Sequence, residues 1–219
     1  MMSSLYGVYG ASGCGRGILP LARKELQQRG ISLDRLVFVD DRPEIRLVNG
    51  HQVLSYTEFL QKDATERHVV LAIADSAVRE KLAARCAFDG VKPWTVRAEN
   101  SVLMDDVILG EGAVLSPFVV LTSNIRIGRY FHANLFSYIE HDCVIGDFVT
   151  FAPGVKCNGN VLIEEHVYIG AGAVIKQGRP GKPLRIGRNS VIGMGAVVVR
   201  DVPPGTTVVG NPAKALLRG

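Results

Sequence analysis

The segment Ile139-Glu-His-Asp-Cys143 sets one imidazole, His141, between two carboxylates, Glu140 and Asp142. An imidazole that gives one ring N–H to a carboxylate keeps its other nitrogen basic, which is what deprotonating an attacking nucleophile requires. Eighteen residues further on, Gly159 lies between two asparagines in Lys156-Cys-Asn-Gly-Asn160. If residues eighteen apart stack, this glycine leaves an accessible backbone N–H beside the imidazole. A base and an oxyanion donor side by side are the equipment of acyl transfer. Lone histidines are mostly structural or solvated, and the column neighbour and adjacent acids set this one apart.

A second constellation lies near the N-terminus. Gly10-Ala-Ser-Gly-Cys-Gly15 follows the apolar run Leu5–Tyr9 and precedes helical spacing from Ile18 to Arg29, with Gly30 as a stop. Backbone N–H groups in such a turn can cradle an anion. Ser12 takes the place of the second glycine of a GxGxxG pattern, so the segment equally fits a tight strand-to-helix connection. Asp40 and Asp41 close the next apolar run, Leu36–Val39, where acids often bind a ribose hydroxyl. Turn and acids together point to a nucleotide-bearing ligand.

Two kinds of architecture must position these residues. From Leu103 an apolar or small residue recurs every six positions: Leu103, Leu109, Leu115, Leu121, Ile127, Ala133, Ile139, Ile145, Phe151, Cys157, Ile163, Ile169 and Ile175. Small or β-branched residues dominate the fifth positions, Val107 through Ala173. The frame breaks over residues 176–185 and resumes at Ile186, Ile192 and Val198. Neither an amphipathic helix nor an alternating strand repeats at six, whereas the coils of a parallel β-helix do. Three hexads make one turn of a three-sided coil, which is why residues eighteen apart stack. Residues 1–95 instead read as strand, helix, strand, then strand Val69–Ala74 and a helix from Asp75-Ser76 to about Phe88, the order of a small parallel α/β domain. The chain thus divides into a Rossmann-like domain, 1–95, and a β-helix, 96–219, with Trp94 and residues 97–101 as the bridge.

The net charge of +4 over 219 residues is too small to imply nucleic acid. The first residues, Met1 to Tyr9, lack a basic region and a long apolar stretch, and no run is long enough to span a bilayer. Cys14, Cys86, Cys143 and Cys157 have no metal-site spacing, and the expectation is a reduced, cytoplasmic protein without membrane insertion. Cys143 and Cys157 fall on inward positions and read as buried thiols. The other histidines, His51, His68, His132 and His166, read as surface residues, and the absence of a His-x4-His pair argues against a metal-binding β-helix. At the C-terminus, Pro203, Pro204 and Pro212 stop the repeat, and Gly210-Asn-Pro-Ala-Lys214 reads as a turn before a short capping helix. Lys214 and Arg218, with Arg179, Lys182, Arg185 and Arg188, could hold phosphates.

The hexad repeat, Glu-His-Asp-Cys at 140–143, Asn-Gly-Asn at 158–160 and the Gly-Asn-Pro-Ala-Lys ending resemble the left-handed β-helix acyltransferases. The Gly-Ala-Ser-Gly turn and the Asp-Asp pair narrow the resemblance to the sugar acetyltransferases of the bacillosamine pathway. It extends over nearly the whole chain. It implies a homotrimer with active sites in grooves between neighbouring β-helices, acetyl-CoA as co-substrate and no metal. The acceptor would be a UDP-4-amino-4,6-dideoxy-sugar, acetylated on its 4-amine by direct transfer. By position, His141 matches the catalytic base, Asp142 its assisting acid and Gly159 the donor near the thioester carbonyl. Asn134 matches the amino-sugar site, while Asp40 and Asp41 match the nucleotide-binding acids. Ser12, Gly13, Cys14, Ala74 and Asp75 fall in the loops expected to hold the nucleotide sugar. Gly172, Ala173, Gly195 and Ala196 match the coenzyme wall, with Thr150 near the acetyl group and Lys214 near the end of the wall. Cys14 and Thr150 stand where relatives carry histidines, and Ala74-Asp75-Ser76 replaces a Gly-Asn-Asn-like stretch.

A sugar O-acetyltransferase of the sialic-acid type, on the same scaffold, is the nearer rival. A nucleotide-sugar-binding scaffold without catalysis is the farther one.

Overall fold

A computed structural model describes residues 4–41 and 44–216. The chain forms two compact units, Met1–Arg97 and Ala98–Gly219.

In the first unit, β1 (Ser4–Tyr9), α1 (Gly13–Gln28), β2 (Leu36–Val39), β3 (Leu47–Val48), β4 (His51–Leu54), α2 (Tyr56–Gln61), β5 (Glu66–Leu71), α3 (Ser76–Phe88) and β6 (Lys92–Pro93) follow in order. The sheet runs β3-β4-β2-β1-β5-β6, parallel except at the β3 edge. Its centre is apolar on both faces, as an enclosed parallel sheet demands: Leu5, Val8, Phe38, Val39, Val70 and Leu71 are fully buried. Helix α1 begins five residues before the apolar spacing does, with Ser12 at its N-cap, because the glycine turn itself winds into the first helical turn. Gly10 takes φ +110°, and a Cβ there would meet the Ala72 carbonyl oxygen at 2.9 Å. A Cβ on Gly15 would collide with the Gly10 carbonyl oxygen. Both glycines are therefore required by the packing of strand end against helix start, whatever the turn binds. Asp75 caps α3, its Oδ1 accepting from the Ala77 and Val78 amides. Helix α2 carries a reciprocal capping box between Ser55 and Glu58, which holds the Glu58 carboxyl down at about 2, through its bonds from the Ser55 backbone and side chain and from Arg46.

The second unit is a left-handed parallel β-helix. Its first sheet stacks Val114–Leu115, His132–Ala133, Thr150–Phe151, Tyr168–Ile169, Val191–Ile192 and Thr207–Val209. The second stacks Val102–Leu103 through Val197–Val198, and the third Val107–Leu109 through Leu184–Ile186. Register steps by eighteen, pairing Val114 with His132, Tyr138 with Lys156 and Val144 with Leu162. Residues 176–185 add five to one step, so that Val161 meets Leu184, after which Ile186, Ile192 and Val198 return to the core. The inward columns are those of the hexad, and Leu115, Phe151, Cys157, Ile169 and Ile175 are completely enclosed.

Corners are made by residues in the left-handed backbone region. One column carries Asp106, Asn124, Asp142 and Asn160, at φ 51–58°, residue types whose short polar side chains tolerate that conformation. A second carries Phe118, Phe136, Gly154, Gly172 and Gly195, and a third includes Tyr130, Phe148, His166 and Asn189. Bulky residues pay a conformational cost there that stacking offsets: Tyr130, Phe148 and His166 form a ladder with centroids 5.2 Å apart.

Three expectations need correction. Lys214–Ala215 is a strand lying antiparallel on Val208–Val209, not the start of a helix, because its amides complete the open edge of the last coil. His132 is buried with its row neighbours Val114 and Thr150, and His51 is buried with Nδ1 3.1 Å from the Leu36 carbonyl, so neither is a surface residue. His68 is half-buried and stacked on Tyr6, and His166 belongs to the aromatic ladder.

Candidate active site

His141 lies two residues beyond strand Tyr138–Ile139, one residue before the corner at Asp142. The positive φ of Asp142 turns its carboxylate back on the preceding ring: Asp142 Oδ2 lies 2.8 Å from His141 Nδ1. The carboxylate accepts from Nδ1–H, which makes Nε2 the basic nitrogen. Of the two flanking acids that could orient the ring, Asp142 therefore does so. The imidazole lies flat over Gly159 on the next coil, and a Cβ there would be 2.6 Å from Cε1 and 2.7 Å from Nε2. Gly159 is buried beneath the half-exposed His141, and its carbonyl accepts from the Gly178 amide at 2.9 Å.

Asn124 is a member of this group that motif reading missed. Its Nδ2 reaches Asp142 Oδ1 at 3.4 Å from the same corner, one coil earlier. Counting eighteen back from Asp142 would have found it. Asp142→Asn preserves the corner, since asparagine adopts the same backbone, but loses the anionic acceptor. We expect kcat to fall on the order of tenfold, the pair being half exposed and solvent-screened, with KM and melting temperature unchanged. Steady-state kinetics on that variant would check this.

The other expected site residues occupy different corners. Asn134 follows strand His132–Ala133 of the first sheet and donates from Nδ2 to the Phe151 carbonyl at 2.8 Å, stitching two coils. Asn158 does the same to Ile175, while its Oδ1 accepts from Tyr138. Gly172 and Gly195 lie on the corner column that begins at Phe118, with open space where their Cβ atoms would be. Ala173 and Ala196 are fully enclosed in the coil interior, so only their backbone can face a ligand, and Thr150 is buried on its strand. Lys214 is exposed on the closing strand, whereas Arg218 lies outside the described residues. Within one chain, then, His141, Asp142 and Gly159 come together, while Asn134, Gly172 and Gly195 gather at another corner.

Cysteine nucleophiles are disfavoured. Their mutual hydrogen bond acts oppositely on the two coil thiols, raising Cys157 and lowering Cys143, but both are fully enclosed in the coil interior, where no substrate reaches them. Burial also raises Cys14, although Arg79 opposes it.

In the first unit two clefts meet at Asp40, at the carboxyl ends of β1, β2 and β5, where open α/β sheets bind ligands. One, of about 250 Å³, is lined by Ala11, Ser12, Asp40, Glu44, Ile45, Val48 and Val53. The other, of about 230 Å³, is lined by Tyr9, Gly10, Asp40, Asp41, Ile73, Val78 and Leu82. The Ala11 amide donates to Asp40 Oδ2 at 3.3 Å. Asp41 accepts from Tyr9 Oη at 2.8 Å and from Arg85 at 3.1 Å; burial, helped by the Asp41 carboxylate, raises the Tyr9 hydroxyl far above its usual range, although Arg85 opposes it. Ser12, Asp40 and Asp41 therefore border these clefts. Gly13 and Cys14 open α1, and Ala74 is exposed beside the cap residue Asp75. Arg79 is a second residue that motif reading missed. It is wholly buried, donates to the Ile73 and Ala74 carbonyls, and burial pulls its guanidinium down to about 10. It fixes the β5–α3 loop from beneath.

Residues 7–86 match the family description of the PglD N-terminal domain. A curated relative, the GDP-perosamine N-acetyltransferase of Escherichia coli O157:H7, is 48% identical over 215 residues, covering 98% of this chain and 97% of its own. The chain belongs to the hexapeptide-repeat sugar N-acetyltransferases. Two solved structures agree with that membership. WeeI from Acinetobacter baumannii AYE superposes with a TM-score of 0.95 at 54% identity, over 98% of this chain and 100% of that one. The acetyltransferase domain of PglB from Neisseria gonorrhoeae FA1090, solved in complex with acetyl coenzyme A, gives 0.85 at 29% identity, over 99% and 100%. Among the described residues of this N-acetyltransferase, no helix is long and apolar enough to cross a membrane.

Proposed function

We propose that the protein transfers an acetyl group from acetyl-CoA to the 4-amine of a nucleotide-linked 4-amino-4,6-dideoxyhexose, in the cytoplasm, by direct attack. The observation that carries this reading is the imidazole of His141, held through Nδ1 by Asp142 and laid against Gly159. Nε2 takes a proton as the amine attacks the thioester carbonyl. The C–N bond forms, the C–S bond breaks, and Nε2 passes its proton to the departing sulfur, so that coenzyme A leaves as the thiol. The Gly159 N–H stabilises the oxyanion that develops between these events. The clefts at Asp40 take the nucleotide. No step requires a metal.

The separation of corners supports a homotrimer. Asn134, Gly172 and Gly195 can serve the same reaction as His141 only if one copy's Phe118–Gly195 corner faces another copy's Asp106–Asn160 corner. Leu135, Phe136 and Met194 are exposed on the first of these, as a surface awaiting a partner would be.

Two nucleotides have support. The glycine turn and the Asp40–Asp41 pair, through their resemblance to the bacillosamine-pathway acetyltransferases, favour UDP-4-amino-4,6-dideoxy-N-acetylglucosamine. The curated relative at 48% identity favours GDP-perosamine. The test is thiol release from acetyl-CoA with both amines and with the 4-hydroxy counterpart of each. Release with one amine and not with its hydroxyl twin is expected, and names the nucleotide. Release with hydroxyl acceptors alone would transfer the enzyme to the O-acetylating class, and release with none would overturn the reading.

A further inference from the structure

Two thiols lie enclosed in the coil beneath His141 and Gly159, and the transfer makes no chemical use of them. Cys143 follows the corner residue Asp142, Cys157 precedes Asn158, and neither side chain has any exposure. They share a hydrogen bond, and both also reach one backbone carbonyl, that of Asn158, Cys143 Sγ at 3.4 Å and Cys157 Sγ at 3.7 Å. Cys143 Sγ is in addition 3.6 Å from the His141 carbonyl, so one thiol touches the backbone of the base and of its neighbour on the next coil. Among the described residues the Asn158 carbonyl has no other donor. The amides on either side of the next residue are engaged: Asn158 N–H donates to the Ile175 carbonyl at 3.2 Å and Asn160 N–H to that of His141 at 2.9 Å. The Gly159 N–H between them has no acceptor among the described residues, although Gly159 is buried. A buried amide left unpaired is rare and costly, and it marks a donor kept for something else.

The peptide joining Asn158 to Gly159 is trans, the cis bond among the described residues being Asn211–Pro212. In a planar trans peptide the C=O and N–H point in opposite directions. With its carbonyl drawn to thiols inside the coil, this peptide turns its N–H outward, on the side where the imidazole lies over Gly159.

We propose that Cys143 and Cys157 are positioning residues that aim the Gly159 N–H at the oxyanion. The inference rests on the acetyl-transfer reading above, in which that N–H is the donor. The thiols touch no substrate; they hold one carbonyl and thereby set the angle of the amide joined to it. A thiol is a weak donor, but here two of them serve a carbonyl with no alternative. Removing an oxyanion donor outright costs about 10²–10³-fold, and tilting one costs less, about tenfold in kcat. KM is unaffected, because the oxyanion develops only in the transition state.

The test compares the full-length wild type with C143A/C157A and C143S/C157S, by steady-state thiol release and by NMR of one peptide group. Isotopic labelling of asparagine carbonyls and glycine amides, read by an experiment that selects bonded label pairs, reports only Asn-Gly peptides. The sequence has two, Asn158-Gly159 and, as internal control, Asn49-Gly50. The alanine variant should lose about tenfold in kcat at constant KM, with the Asn158–Gly159 signal displaced and the Asn49–Gly50 signal unmoved. Serine returns a donor to the carbonyl, so kcat should recover to within about threefold of wild type and the displaced signal should move back. A buried serine stabilises the coil no better than alanine, so recovery of rate without recovery of melting temperature separates positioning from packing. If the double alanine variant does not fold, Cys143→Ala and Cys143→Ser carry the same comparison on the shorter contact. Equal losses of kcat in the alanine and serine variants, or wild-type kcat with an unmoved signal in the alanine variant, would overturn the proposal. Should wild type release no thiol with any acceptor, the transfer reading falls, and the Asn158–Gly159 signal still decides whether the thiols orient this peptide.

Discussion

His141→Ala should lower kcat with the cognate amino sugar by about 10²–10⁴-fold, the usual worth of a positioned general base. KM for either substrate should move little, because the proton is transferred only as the C–N bond forms. The side chain is half exposed and, among the described residues, makes its one polar contact with Asp142, so the melting temperature should stay within about 1–2 °C of wild type. This combination separates a catalytic imidazole from a structural one, whose loss would lower stability along with rate. Turnover near wild type would remove His141 from the mechanism and leave the transfer to proximity alone.

The coil was legible because its inward positions obey one rule for thirteen hexads, and nothing in the local sequence competes with it. The site was legible for a related reason. Once the step is eighteen, His141 and Gly159 must be neighbours, and a glycine is conspicuous where the other coils carry side chains. Asn124 obeyed the same arithmetic, yet an asparagine at a turn reads as a turn-former, and in this fold it is both corner and contact. Position in a repeat determines which way a side chain points, but not whether solvent reaches it. His132 is outward on its strand and buried nonetheless, and so is Thr150. The closing strand at Lys214 was misread because Pro-Ala-Lys-Ala-Leu-Leu has helical composition, while an unsatisfied sheet edge outweighs propensity over so short a segment. For the glycine turn the sequence left an anion cradle and a tight strand-to-helix connection level, and the structure adds that close packing demands Gly10 and Gly15 in its own right.

Gly159→Ala should cost nearly as much as removing the base, although it deletes no functional group. Its backbone lies outside the left-handed region, so alanine brings no conformational strain, and the backbone N–H is retained. What the methyl meets is the imidazole, at 2.6 Å from Cε1 and 2.7 Å from Nε2. Carbon cannot approach that closely, and a half-exposed ring is free to swing away, so the clash is relieved by moving His141 rather than by loosening the coil. A shift of about 1 Å in a reacting group can cost about 10²-fold, and that is the expected fall in kcat, with stability nearly unchanged. The double variant H141A/G159A decides the route by which Gly159 acts. If the methyl works by displacing the ring, the double variant is no slower than His141→Ala alone. If the two losses multiply, Gly159 contributes independently of the imidazole, as it would where the methyl also disturbs an oxyanion-binding N–H. A Gly159→Ala enzyme with wild-type turnover would mean that His141 need not lie over this glycine when it acts.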